Sequence, residues 1–136
     1  MIVVAVIGLL AAIAIPNITR ARITANENAT KRCLRVIAAA AESFRAINTS
    51  YPGNLSDLST AVPPYLDGTF VNQTVKSGYR YLFSGYVDTF YLGVAPATSN
   101  SGTNYFCIDS TGVIYTSTST LFPANGLCPG SNAPIS

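Results

Sequence analysis

The side chains of this 136-residue sequence that could carry chemistry are three cysteines and six carboxylates, because the sequence contains no histidine. Cys33, Cys107 and Cys128 are too widely spaced for a zinc-binding pattern. Four carboxylates follow residue 48 and occur singly at expected turns or strand ends: Asp57, Asp67, Asp88 and Asp109. Acid–base catalysis needs positioned groups and a hard cation needs clustered oxygens. We therefore predict no catalytic residues, no metal site and no cofactor. Asp88 and Asp109 are the only plausible candidates for ligands of a calcium ion.

Charge is scarce and unevenly distributed along the chain. Only 10% of the residues are charged and 49% are hydrophobic, which suggests that lipid or partners cover some apolar surface. Residues 1–48 carry six basic and two acidic side chains, and residues 49–136 carry two basic and four acidic ones. The basic excess of residues 1–48 is typical of a helix face exposed to solvent. It would also fit a helix end on the cytoplasmic side of a membrane or against anionic lipid, or electrostatic steering between copies of the chain. Lys76 and Arg80 are too sparse for a nucleic-acid surface, so no nucleic-acid partner is predicted.

The N-terminal third of the chain predicts one long helix with two different halves. Residues 1–19, here called the apolar segment, are uncharged and as a helix would span about 28 Å, enough for the hydrocarbon core of a membrane. Residues 20–48, the amphipathic segment, continue the helix with an apolar stripe at intervals of three and four. The stripe comprises Ile18, Ala21, Ala25, Ala29, Cys33, Ile37, Ala40, Phe44 and Ile47. On the opposite side, Glu27 and Lys31 have the i,i+4 spacing of an ion pair.

Residues 49–136, the head, predict a short helix followed by an antiparallel sheet. Pro52 and Gly53 would stop the long helix, and Asn54 would cap a short one that ends at about Val62. Aromatic and β-branched runs between turn signals predict four strands: Tyr79–Phe83, Asp88–Val94, Asn104–Asp109 and Gly112–Ser117. The fold class is therefore α+β, with the long helix packed against the sheet. Strand parity predicts a core of Phe90, Leu92, Val94, Phe106 and Ile108 against Val36, Ile37, Ala40 and Phe44.

Strand parity also selects one disulfide from the three possible pairings. Cys107 alternates with Phe106 and Ile108, so it points away from the helix if those two side chains face it. Cys33 lies on the helix stripe beneath the opposite face, and a bridge needs Cα atoms within about 7 Å. Cys128 lies in a tail rich in Pro and Gly that we expect to fold back over the outer face. We predict a Cys107–Cys128 bond that closes a C-terminal loop, with Cys33 as a free thiol.

The opening stretch MIVVAVIGLLAAIAIPN resembles the N-terminal helix of type IV pilins and the related pseudopilins, including Gly8 and Pro16 eight residues apart. In that family a motif like F-T-L-I-E-L lies directly upstream of the matching residues, so its glutamate is assigned to no residue of this sequence. The resemblance implies that Gly8, Ala11, Ala12 and Pro16 belong to a filament-core helix. Small residues there allow neighbouring helices to approach closely, and the predicted C-terminal disulfide loop is similar to that of many pilins.

The resemblance implies a structural subunit of a type IV pilus and not an enzyme. Copies of such a chain are held in the inner membrane and then polymerise into a helical surface filament for adhesion, motility or DNA uptake. The implied partners are other copies of the chain, a prepilin peptidase, a platform protein and an assembly ATPase. Two alternatives stay open: a pseudopilin of a type II secretion system, and a membrane-anchored β-rich binding protein that does not polymerise.

Overall fold

The computed structural model describes residues 1–70, 74–120, 127–129 and 133–135, and shows a long helix packed against an antiparallel sheet. The elements are α1 (Ile2–Asn48), α2 (Leu55–Thr60), β1 (Val75–Lys76), β2 (Tyr79–Gly85), β3 (Phe90–Pro96), β4 (Tyr105–Asp109), β5 (Ile114–Ser117) and β6 (Ala133–Ile135). The predicted α+β class is confirmed. Part of the predicted C-terminal tail, 121–126, 130–132 and 136, lies outside the described residues.

Helix α1 is 47 residues long, about 70 Å, and passes through Pro16 without interruption. It ends where the sequence predicts, at Asn48. Thr49 takes the left-handed conformation (φ 63°), and its backbone N–H donates to the Arg45 carbonyl oxygen at 2.9 Å. This geometry satisfies one of the carbonyl groups that a helix end leaves without a partner. The apolar and amphipathic segments therefore form one rod.

Helix α2 begins with the predicted Asn54 cap. Asp57 completes a capping box, in which its carboxylate accepts a 3.0 Å hydrogen bond from the Asn54 backbone N–H. The helix ends at Thr60, two residues before the predicted end at Val62. Pro63 accounts for the difference, because a proline disfavours helical backbone at the residue before it.

The sheet is a meander in which each strand pairs antiparallel with the next, in the order β1 to β6. All four predicted strands are present, with ends shifted by the turns. Asp88 lies in a turn closed by a 2.8 Å hydrogen bond from the Tyr86 N–H to the Thr89 carbonyl, so β3 begins only at Phe90. Gly112 lies in the turn before β5, at φ 75°. Strands β1 and β6 were not predicted, since they have two and three residues.

The core lies between α1 and the sheet. Every strand residue of the predicted core is buried there: Phe90, Leu92, Val94, Phe106 and Ile108. On the helix, Ile37 and Ala40 are buried and Phe44 is half-buried at the edge, where its ring meets the Tyr65 ring edge-on with centroids 5.7 Å apart. The prediction for Val36 is wrong, because this side chain is 57% exposed.

The buried stripe of the helix is rotated from the predicted one. Its residues are Thr30, Leu34, Ile37, Ala38, Ala40 and Ala41. Leu34 and Ala41 are fully buried, whereas Cys33 is half-buried. The stripe also starts later than predicted: Ile18, Ala21 and Ala25 are exposed, because the part of the head that the structure describes does not cover them. Ile47, at the other end, is exposed as well.

Candidate assembly surface

The apolar segment forms a helix surface that the described residues of the head leave exposed. All 19 of its residues are exposed, including Ile7, Leu10 and Ile13. An 18-residue window of α1 has mean hydropathy 2.4 and no buried share, and by length and composition it could cross a membrane. A continuous apolar surface of this size normally contacts lipid or another protein. This surface is the candidate functional site.

The residues that the pilin resemblance assigns to a filament core all lie on this surface. Gly8, Ala11, Ala12 and Pro16 are exposed. A Cβ atom placed on Gly8 would meet nothing within 4 Å. Among the described residues of one copy, the space beside Gly8 is therefore open, and its role in helix packing stays a prediction.

The two polar side chains near the end of the apolar segment bond to their own helix. The Asn17 side-chain amide donates to the Ile13 carbonyl oxygen at 3.2 Å, and the Thr19 hydroxyl donates to the Ile15 carbonyl oxygen at 3.3 Å. Such bonds to the preceding turn satisfy donors that would otherwise need water. They reduce the cost of placing these residues in an apolar environment.

The loop 97–104, here called the junction loop, makes hydrogen bonds from the head to Asn26 and Glu27 of the helix. The Asn26 amide donates to the Ser101 carbonyl oxygen at 3.0 Å. The Glu27 carboxylate accepts bonds from the Asn104 amide at 3.1 and 3.3 Å, and from the backbone N–H and hydroxyl of Thr103 at 3.3 Å each. These contacts separate the free part of α1 from the part attached to the head.

Glu27 does not form the ion pair with Lys31 that the sequence predicts. Lys31 does not pair with it; its ammonium group lies 5.2 Å from the centroid of the Phe106 ring. Among the described residues the ion pair found is Arg45 with Asp88, 3.5 Å apart. The spacing of Glu27 and Lys31 is correct for a pair, but Glu27 accepts four hydrogen bonds from three donor groups of the junction loop. No sequence signal near residue 27 identifies a partner 76 residues away.

Tyr79 supports the junction loop from the sheet side. Its hydroxyl donates to the Asn104 carbonyl oxygen at 2.9 Å. A Cβ atom on Gly102 would overlap the Tyr79 phenol, so this position has room only for glycine. Burial raises the pKa of Tyr79, and the nearby Glu27 carboxylate raises it further because it disfavours a second negative charge.

A second polar contact holds the far end of the helix. The Tyr51 hydroxyl donates to the Glu42 carboxylate at 2.7 Å and accepts a bond from the Arg45 guanidinium at 3.2 Å. The guanidinium also lies over the Tyr51 ring, 4.8 Å from its centroid. Burial, and then the hydrogen bond to Glu42, raise the pKa of Tyr51. The amphipathic segment is thus attached to the head at both ends.

The outer face of the sheet carries the disulfide. Cys107 is bonded to Cys128, with Cα atoms 6.0 Å apart, as the parity argument predicts. The bridge packs with Tyr91 and Tyr115 into a small cluster on the face away from α1. Burial raises the pKa of Tyr91 to about 12. Cys33 is a free thiol on the helix side.

Asp109 anchors the bridged tail and is not arranged as a cation ligand. This carboxylate is only 3% exposed. One oxygen accepts bonds from the Thr111 backbone N–H at 2.9 Å and hydroxyl at 2.6 Å, and the other accepts the Cys128 backbone N–H at 3.0 Å. Asp88, the other candidate calcium ligand, pairs with Arg45. Within the described ranges, no group of three or more Cys, Asp or Glu side chains is close enough to hold a metal ion.

Two buried hydroxyl groups meet near Cys33, under the helix. The side chains of Thr30 and Tyr81 have no exposed surface, and neither hydroxyl completes a hydrogen bond with the residues that the structure describes. Burial raises the pKa of Tyr81. A buried hydroxyl group without a hydrogen bond costs about 1–3 kcal/mol, so these two groups reduce the stability that this layer of the core contributes.

Comparison with known proteins adds no relative: no family model, no curated protein and no solved structure matches this chain.

Proposed function

We propose that this chain is a structural subunit of a type IV pilus, which is held in the inner membrane by its apolar segment and polymerises through the same segment into a helical surface filament. One observation carries the proposal. A fully exposed apolar segment continues without a break into a helical half that is packed on a head. This architecture is compatible with that of pilins, and the match of MIVVAVIGLLAAIAIPN to the pilin helix supports it.

The exchange of lipid for neighbouring subunits is physically reasonable. Lipid tails and packed apolar side chains are similarly apolar, so association within a fibre depends on close van der Waals packing. Gly8, Ala11 and Ala12 offer small side chains for such packing, and the space beside Gly8 is open. Assembly of this kind requires no catalysis by the chain. A prepilin peptidase, a platform protein and an assembly ATPase are the partners that the pilin resemblance adds.

The decisive experiment removes residues 1–17 and examines filaments sheared from cells that also carry the assembly machinery. The full chain should appear in long filaments, and the truncated chain should be a soluble monomer. A truncated chain that still builds fibres would overturn the proposal. Long sheared fibres favour a pilus, and short fibres confined to the envelope favour a pseudopilin.

A matched pair of point variants makes the same test without a large deletion. Leu10→Lys places a charge on the apolar segment, where Leu10 is 62% exposed, and Val62→Lys places one on an apolar residue of the head that is 98% exposed. A lysine at the centre of a membrane helix costs about 2.5–3.5 kcal/mol. We expect Leu10→Lys to abolish incorporation and Val62→Lys to retain it. Chemical cross-linking on cells should give a ladder of oligomers; a membrane-anchored protein that does not polymerise would give none.

A further inference from the structure

A groove lies where the apolar segment meets the head. It is lined by Ile15, Ile18, Thr19 and Arg22 from one side of α1 and by Asn100 from the junction loop, and encloses about 360 Å³. Ile15 and Ile18 make one part of the groove apolar, and Arg22 and Asn100 supply a guanidinium and an amide. The groove thus combines an apolar wall with donors for an anion.

The wall formed by the junction loop is held in place. Ser101, next to Asn100, accepts the hydrogen bond from Asn26, and its hydroxyl lies 2.7 Å from the Thr98 hydroxyl. Gly78 packs against Ser101, since a Cβ atom on this glycine would lie 2.8 Å from the Ser101 Cβ. The position of Asn100 relative to the helix is therefore set by contacts on both sides of it.

The charge around the groove is positive. Arg20 and Arg22 are both exposed, and residues 1–26 contain no aspartate or glutamate. The nearest carboxylate in sequence, Glu27, already accepts four hydrogen bonds from the junction loop. An anion in the groove would meet the Arg22 guanidinium without a competing carboxylate on the same stretch of helix.

The groove also lies at a defined depth. It lies where the uncharged apolar segment ends and the first charged residues, Arg20 and Arg22, follow, and such a change in a membrane helix marks the boundary between hydrocarbon and headgroups. With the apolar segment in a membrane, Ile15 and Ile18 would lie beside the acyl chains just below the headgroups, and Arg22 at the level of the phosphates. The polar layer of the groove therefore coincides with the headgroup layer.

We propose that this groove binds one anionic phospholipid of the leaflet next to the head. The Arg22 guanidinium and the Asn100 amide donate to the headgroup phosphate, and Ile15 and Ile18 contact the first methylenes of an acyl chain. The bound lipid holds the head at a fixed height above the membrane before assembly. The inference rests on the membrane-held form of the proposed subunit, and it does not require polymerisation.

The test is native mass spectrometry of the full chain in micelles that contain equal amounts of phosphatidylglycerol and phosphatidylcholine. A basic side chain near an anionic surface contributes about 1 kcal/mol, so we expect the chain to retain phosphatidylglycerol about fivefold over phosphatidylcholine. Arg22→Gln should bring this ratio close to one, and Asn100→Ala should lower it partly. Arg35→Gln is the matched control, because it removes the same charge from an exposed position far along the helix and should leave the ratio unchanged.

Three outcomes would overturn the proposal. The wild-type chain would show no preference for phosphatidylglycerol, or Arg35→Gln would lower the ratio as much as Arg22→Gln, or millimolar inorganic phosphate would displace the lipid and show that the groove takes a free anion. Circular dichroism of each variant checks that the helix is intact. Filaments sheared from cells are imaged in parallel. A chain that retains the lipid but forms no filaments would contradict the pilus proposal and leave the lipid site standing.

Discussion

The two halves of helix α1 form one continuous helix but differ completely in their surroundings. In the apolar segment every side chain is exposed, whereas in the amphipathic segment Leu34, Ile37 and Ala41 have no exposed surface. The apolar segment is apolar on all sides, and the amphipathic segment has a stripe. A helix with a stripe needs one covering layer, which the head supplies. A helix that is apolar all round needs cover on every side, and one small head cannot provide it.

This difference predicts that the same substitution has a large effect on stability in one half and almost none in the other. Leu34→Ala should lower the free energy of unfolding of the head by about 3 kcal/mol, because it leaves a cavity against the sheet. Leu10→Ala should change it by less than about 0.5 kcal/mol, since the described residues of the head leave Leu10 exposed. Urea unfolding of the full chain in mild detergent measures both, with the near-ultraviolet circular dichroism of the tyrosines as the signal.

The tyrosines make this signal specific, because all eight follow residue 50. Comparable losses from the two variants would mean that the apolar segment packs on the head, and the contrast between the halves would fail. A Leu34→Met variant provides a control for volume, and we expect it to cost less than about 1.5 kcal/mol.

The second prediction concerns the disulfide, which lies on the sheet face away from the helix. Replacing Cys107 and Cys128 by serine should lower the free energy of unfolding by about 3 kcal/mol, since the bond constrains a loop with a sequence separation of 21 residues. The helicity of the apolar segment should not change, because this segment has no contact with the bridge. In thermal unfolding, the near-ultraviolet signal of the tyrosines reports the head, and the ellipticity at 222 nm that remains above its transition reports the apolar segment. Cys33→Ser is the control, and a similar loss from it would show that the free thiol has a structural role.

Much of the fold was predictable because its signals are local. The helix end at Asn48, the cap of α2 by Asn54 and the four main strands each depend on a few neighbouring residues. The disulfide followed from the alternation of Cys107 with its two neighbours. Each of these inferences requires only a period or a turn residue, which a single sequence contains.

The predictions that were wrong or missing depend on contacts between distant residues and not on local signals. Cys33 and Leu34 both fit a helical stripe, and only the large side chains of the sheet decide which one is buried. Strands β1 and β6 are too short to show a period, and Pro134 in β6 argues against a strand unless it lies at an edge, which is where the structure places it. The contacts of Glu27 and Asp109 join residues 76 and 19 positions away. Long-range polar partners leave no trace in local patterns.

The third prediction is that alkaline pH lowers the stability of the head and leaves the helicity of the apolar segment unchanged. Tyr91 has a pKa of about 12 in the folded head, against about 10 in an unfolded chain. Its stabilising contribution is complete below pH 10, falls as the unfolded chain loses its proton, and is lost by pH 12. At pH 11 the loss from Tyr91 alone is about 1 kcal/mol. Burial shifts Tyr51, Tyr79 and Tyr81 in the same direction.

Urea unfolding of the head at pH 9 and pH 11 measures this effect, and circular dichroism should show that the helical signal of the apolar segment persists. The Tyr91→Phe variant should lose less stability between the two pH values than the wild type. An equal loss in both would place the responsible groups elsewhere in the head.

The fourth and smallest predicted effect concerns the boundary between the free and the attached parts of α1. Glu27→Gln removes the charge that strengthens four hydrogen bonds to Thr103 and Asn104. Glu27 is half-buried, so we expect a loss of about 0.5–1 kcal/mol in the free energy of unfolding. The larger effect should be local: amide hydrogen exchange should become faster in the junction loop, while the exchange of Leu34 and Ile37 stays unchanged. Glu42→Gln is the matched control, since it alters the contact with Tyr51 at the other end of the helix. If both variants leave the exchange of the junction loop unchanged, Glu27 does not determine where the helix becomes attached to the head. The attachment would then begin at the buried stripe.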